Sequence, residues 1–130
     1  MKKAVIFDLF GVLVLNGQPN NDLVSIAKEL KGLGVKSFVL SNADNELAGE
    51  QIKTFPFLTE VFDKFYYSGQ TGFIKPEEGA YKLILEENNL KPEECVYFDD
   101  SARYISVAES LGIESYLFEG PEQVREKLFN

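Results

Sequence analysis

Two short apolar runs in this chain end in carboxylates, and those carboxylates are where chemistry would concentrate. Ala4-Val5-Ile6-Phe7 leads into Asp8, after which the chain turns apolar again through Leu9, Val12 and Leu13; far downstream, Val96-Tyr97-Phe98 ends in Asp99-Asp100. A charge left unpaired inside core sequence costs several kcal/mol or is forced neutral. Asp8 is therefore expected at a strand tip, beside a cation or hydrogen-bond donors. If the two runs are neighbouring strands, their acidic tips could hold a metal ion between them. Histidine is absent, which removes Ser-His-Asp and Cys-His catalysis and imidazole ligation, so a metal here would be bound through oxygen, the donor set of Mg²⁺.

The elements that must position these residues follow from periodicity. Strands are expected at Lys3 to Asp8, Ser37 to Leu40, Phe65 to Tyr67, Cys95 to Phe98 and Ser115 to Phe118. Helical faces fill the gaps: Leu23, Ile26, Ala27 and Leu30, ended by Gly32 and Gly34; Ala80, Tyr81, Ile84 and Leu85, started by Pro76; then Ala102 to Leu111 and Pro121 to Leu128. Strand and helix in alternation predict an α/β fold of three layers, a Rossmann-like parallel five-stranded sheet with helices on both faces. Ligands of such sheets bind beyond the carboxyl ends of the strands. Asp8, Ser41 and Asp99-Asp100 all fall at such ends.

Composition bounds the possibilities further. With 130 residues, 45% of them hydrophobic and 13% aromatic, the chain is expected to form one domain over 1–130 with a real core. A formal net charge of −8 opposes binding to nucleic acid or to an anionic membrane, and an anionic substrate would need local positive charge to enter. Lys2-Lys3 followed by apolar sequence to Leu15 imitates a signal peptide, but Asp8 interrupts the apolar stretch and no small-x-small cleavage site follows. No apolar run reaches the roughly 18 residues of a membrane span. The lone Cys95 reads as a small core residue, and a cytoplasmic location is expected.

At this point the residues resemble the haloacid dehalogenase superfamily of hydrolases, over nearly the whole chain from Lys3 to about Phe118. Phe7-Asp8-Leu9-Phe10-Gly11-Val12-Leu13 looks like its first motif, Val39-Leu40-Ser41-Asn42 the second, Lys75-Pro76 before a helix the third, and Phe98-Asp99-Asp100-Ser101 the fourth. Each is weak singly; all four in order at matching strand tips carry the resemblance. Lys-Pro-Glu-Glu occurs twice, at Lys75 and Lys91. A strand of about five residues spans roughly 17 Å and separates Lys91 from the carboxylates, whereas Lys75 follows a strand on the same edge as Asp8.

The resemblance implies a Mg²⁺-dependent phosphatase. Asp8 would be the nucleophile, forming an aspartyl-phosphate that water then hydrolyses. The metal ligands would be the Asp8 carboxylate, the backbone carbonyl of Phe10 and Asp100, with Asp99 acting through a bound water. Ser41 would donate its hydroxyl to a phosphoryl oxygen, helped by the Asn42 amide, while Lys75 neutralises charge on the transferring group and on Asp8. One departure matters most. Phosphatases of this superfamily usually carry a second Asp two residues after the nucleophile, as general acid and later as base; here that residue is Phe10. Alkyl phosphates, whose leaving groups need a proton, should turn over poorly, and aryl or acyl phosphates should suffer less. Tyr104 stands where relatives with this fourth motif often carry Asn, a lesser departure that bears on the support of Asp100.

Two other readings stay open. Dehalogenases of the superfamily carry Tyr where this chain has Phe10 and need no metal, but they replace the paired Asp with neutral residues. A catalytically decayed scaffold serving as a binding or regulatory module would have Phe10 as ordinary core filling beside Asp8. Relatives often insert a helical cap between Asp8 and Ser41, whereas this chain has a short stretch with an Asn16-Gly17 turn signal and one helix, and the segment from Ser41 to Lys75 is expected to hold only a helix and a strand. A capless, solvent-open site suits a bulky phosphorylated substrate such as a phosphoprotein, or a second subunit of a homo-oligomer that supplies the lid.

Overall fold

The computed structural model describes residues 2–129. Its sheet has five parallel strands in the order β5-β4-β1-β6-β7, formed by β1 (Ala4–Phe7), β4 (Lys36–Ser41), β5 (Lys64–Tyr67), β6 (Cys95–Asp99) and β7 (Glu114–Leu117). A separate hairpin follows β1, made of β2 (Val14–Leu15) and β3 (Gln18–Pro19). Asn16 and Gly17 form its turn with φ of 50° and 75°, the two positive values that a two-residue hairpin turn demands. The helices are α1 (Asn21–Gly32), α2 (Asn45–Thr54), α3 (Leu58–Val61), α4 (Ser68–Thr71), α5 (Glu78–Glu87), α6 (Ala102–Ser110) and α7 (Pro121–Phe129). No cap domain intervenes between Asp8 and β4: only the hairpin and α1 lie there.

Alternation along the strands builds two cores. Val5 and Phe7 of β1 face a core with Leu23, Ile26 and Leu30 of α1 and Val124 of α7, while Ala4 and Ile6 face a second with Tyr81 and Ile84 of α5 and Ala108 of α6. A parallel sheet covered on both faces needs apolar residues at every position of its central strands, which is why β1 reads as an unbroken apolar run. Aromatic rings brace the neighbouring strands: Phe7, Phe98 and Tyr116 stack in series with centroids 5.8 and 5.6 Å apart. Cys95 is buried, as its sequence context implies, and burial pushes its thiol up to about 11.

Two expectations about the elements need correction. The segment from Ser41 to Lys75 holds α2, α3, β5 and α4 rather than one helix and one strand. Pro56 follows the end of α2 and breaks what would be a longer helix, and α3 and α4 are single turns of four residues, too short to show a period. The helix expected to start at Pro76 instead begins at Glu78: Glu77, with φ −57° and ψ 134°, is not helical, and its carboxylate turns back to accept from the Ile74 N–H at 2.7 Å.

Candidate active site

The register of the sheet brings the acidic tips together. Phe7 of β1 lies beside Phe98 of β6, so Asp8, the first residue past β1, stands next to Asp99, the last residue of β6. The Asp8 N–H donates to the Phe98 carbonyl at 3.0 Å, which ties the two tips directly. Ligand oxygens of Asp8, Asp99 and Asp100 all lie within 4.8 Å of one another. Asp8 and Asp99 are buried and Asp100 is exposed.

Lys75 enters from the loop after β5 and α4, and its side chain is buried. Its Nζ donates to Asp8 Oδ1 at 2.9 Å, to Asp99 Oδ2 at 2.8 Å and to the Leu40 carbonyl at 3.1 Å, which uses all three ammonium hydrogens. One cation thus bonds two of the three clustered carboxylates. Burial pushes the Asp8 carboxyl up to about 7; Lys75 opposes this, and the Asp99 charge and a hydrogen bond with Asp100 add to it. Lys91, the other candidate lysine, stands before β6 at the opposite edge, where its N–H meets Glu94.

Asp99 is already occupied. Its Oδ2 accepts from Lys75 and from the Tyr97 hydroxyl, and its Oδ1 accepts from the Ser101 N–H at 3.1 Å. Burial and the charge of Asp99 hold the Tyr97 hydroxyl well above its usual range, so it serves as a donor. Sequence reasoning missed Tyr97, although residues two apart on a strand share a face and Tyr97 is two before Asp99. It also gave no role to Gly11. That residue has φ of 89°, and a Cβ built on it would fall 2.1 Å from Asp100 Oδ2, so only glycine lets the loop after Asp8 approach the Asp100 carboxylate.

Ser41 ends β4, buried at the same edge of the sheet. Asn42, expected to assist Ser41, has its amide engaged elsewhere: Oδ1 accepts from the Lys75 N–H at 2.8 Å, and Nδ2 donates to the Lys75 carbonyl at 3.1 Å. Tyr104 lies with its ring 5.1 Å from Lys75 Nζ and its hydroxyl 3.4 Å from Asn42 Nδ2. Phe10 corrects the core-filling expectation. It is 37% exposed, so the ring stands at the surface two residues past Asp8 and does not fill the interior.

The residues present fit a hard divalent cation. All the converging donors are oxygens, as Mg²⁺ prefers, and the excess of negative charge around Lys75 is what such an ion would balance.

Comparison with known proteins bears on the fold and the family. A family model for haloacid dehalogenase-like hydrolases matches residues 13–118, beginning just past Asp8 and Phe10. Phosphatase MT3486 from Mycobacterium tuberculosis (strain CDC 1551 / Oshkosh) is 27% identical over 99 residues, 76% of this chain and 46% of that protein. D-ribitol-5-phosphate phosphatase from Bacteroides thetaiotaomicron is 28% identical over 71 residues, 55% of this chain and 34% of that protein. The chain spans less than half the length of the curated relatives it matches. Among solved structures, an uncharacterized protein from Corynebacterium glutamicum superposes with a TM-score of 0.85 at 25% identity, covering 98% of this chain and 93% of the other. A mutant haloacid dehalogenase-family enzyme from Bacteroides thetaiotaomicron, in complex with magnesium and inorganic phosphate, shares the fold at a TM-score of 0.80 and 17% identity, covering 92% of this chain and 95% of the other. With the family model running from the hairpin to the end of the sheet, the chain belongs to the haloacid dehalogenase-like hydrolase family.

Proposed function

We propose that the chain acts as one domain, a Mg²⁺-dependent phosphohydrolase that works through an aspartyl-phosphate on Asp8. The observation that carries this reading is the convergence of Asp8, Asp99 and Asp100 within 4.8 Å, with Lys75 bonded to the first two. In the first step a carboxylate oxygen of Asp8 attacks the phosphorus, the bond to the ester oxygen breaks, and its electron pair leaves with that oxygen. In the second, water attacks the phosphorus, the bond to Asp8 breaks, and the proton passes to solvent. Lys75 and the Ser41 hydroxyl stabilise the equatorial oxygens as charge builds. Asp8, the Phe10 carbonyl and Asp100 would hold the ion directly; Asp99, with both oxygens engaged, would orient Lys75 and meet the ion through water. When bound, Mg²⁺ supplies Lewis-acid charge that screens the repulsion between anions.

Phe10 can neither protonate a leaving group nor activate water. The favoured substrates are therefore aryl or acyl phosphates, and with no cap domain present a bulky one such as a phosphoprotein suits the open site. A second subunit is the alternative source of a lid. The phosphatase names of two relatives support phosphorylated substrates, while the paired acids, whose charge together with that of Asp8 exceeds what Lys75 alone balances, favour this chemistry over dehalogenation. Among the described residues no helix is long and apolar enough to cross a membrane. A screen of aryl, acyl and alkyl phosphates, with and without Mg²⁺ and with Asp8→Asn as the blank, tests the reading. Metal-dependent hydrolysis of the first two classes, absent from the blank, is expected; equal rates in the blank would contradict it.

A further inference from the structure

The side chain of Asn42 grips Lys75 by its backbone. Its carbonyl oxygen takes the Lys75 N–H and its amide gives to the Lys75 C=O, at 2.8 and 3.1 Å, across 33 positions of sequence. Such a two-point clasp does for a loop what a rung of backbone bonds does for a strand. The loop needs it. Among the described residues, the other backbone hydrogen bonds of Gly72 to Glu77 are local, made to Ser68, Thr71, Ile74 and Glu77 and to Ala80 at the start of α5. Asn42 joins the backbone of this segment to the tip of β4, and it stands one residue past Ser41. The far end of Lys75 is held by Asp8, Asp99 and the Leu40 carbonyl, and Tyr104 covers the ammonium with its ring while its hydroxyl meets the clasping amide.

We infer that Asn42 is a positioning residue that acts through Lys75, fixing the lysine backbone so that Nζ reaches the phosphoryl group, and is not itself a ligand of that group. Tyr104 holds the amide in the orientation that makes the clasp. Only the kinetic arm of the following test rests on the phosphohydrolase reading.

A double-mutant cycle separates a residue that acts through another from one that binds substrate independently. Misplacing Lys75 by removing its tether should lower kcat/KM for an aryl phosphate by about 10- to 100-fold in Asn42→Ala, and the same change added to Lys75→Met should lower it by less than about 2-fold. Equal fold losses in the two backgrounds would overturn the inference, because they would mean that Asn42 touches the phosphoryl group on its own. The second arm needs no turnover. Amide hydrogen exchange at Lys75 should quicken in Asn42→Ala while the amides of β4 keep their protection, and unchanged exchange at Lys75 would equally overturn the inference. A wild-type chain without Asp8-dependent hydrolysis would defeat the functional reading instead, leaving the exchange arm to decide the clasp.

Discussion

Phe10 and Asp8 set the chemistry in opposite directions. General acid–base assistance is worth about 10²- to 10⁴-fold, and a phenyl ring two residues past Asp8, the proposed nucleophile, provides none. Phe10→Asp should therefore raise turnover of alkyl phosphates by about 10²- to 10⁴-fold and that of acyl phosphates far less, which steady-state rates across the two classes will check. The protonation of Asp8 makes a second prediction. Its carboxyl is raised from an ordinary 3.8 to about 7, first by burial. Between those values the metal-free folded state binds more protons than the unfolded chain, so stability from this group is full below 3.8 and is lost as pH rises through about 7. In EDTA the wild-type Tm should fall across that window relative to Asp8→Asn, which lacks the titration; parallel pH profiles would contradict the assignment. Which residues stood at the site was largely legible in the sequence, because a carboxylate that ends an apolar run must find a cation or donors at the strand tip. What Asn42 and Tyr104 do there was not, since each depends on a partner brought close by the fold: Lys75 lies 33 positions from Asn42, and Tyr104 lies 62 from it; Tyr97, two positions before Asp99, was within reach of strand alternation.

Among the elements, the loop after β1 carries a glycine at a position of φ 89° against the Asp100 carboxylate. Gly11 lies where the backbone passes the Asp100 carboxylate, so Gly11→Ala should push the loop and Asp100 apart while both cores persist. Calorimetric titration should then show Mg²⁺ affinity reduced by about 10- to 100-fold, the scale of losses when groups that support metal ligands are removed; unchanged affinity would place the ion elsewhere. The strands were legible because a parallel sheet buried on both faces writes itself as apolar runs, and α1 and α5 because Leu23, Ile26, Ala27 and Leu30, and Ala80, Tyr81, Ile84 and Leu85, keep helical spacing and are all buried. Single turns such as α3 and α4 leave no such mark. Their places are set by Pro56 at one end and by Gly72, with φ of 81°, at the other.

At the scale of the whole molecule, a net charge of −8 and three clustered carboxylates would repel a phosphorylated substrate, and under the proposed function Lys75 is the cation that would receive it. Its ammonium is spent on Asp8 and Asp99 until something else balances them. Under the proposed function this arrangement would make a divalent ion the condition for phosphoryl transfer, and the missing acid–base residue would make the second step the slower one. The central claim is transfer to Asp8, and rapid mixing with an aryl phosphate, acid quench and intact-mass analysis test it most directly. With Mg²⁺ present, a burst approaching one leaving group per chain should accompany the mass gain of a single phosphoryl group mapping to Asp8, followed by slow turnover, with neither in EDTA nor in Asp8→Asn. Steady release at a high rate with no adduct, or an adduct that survives Asp8→Asn, would contradict it.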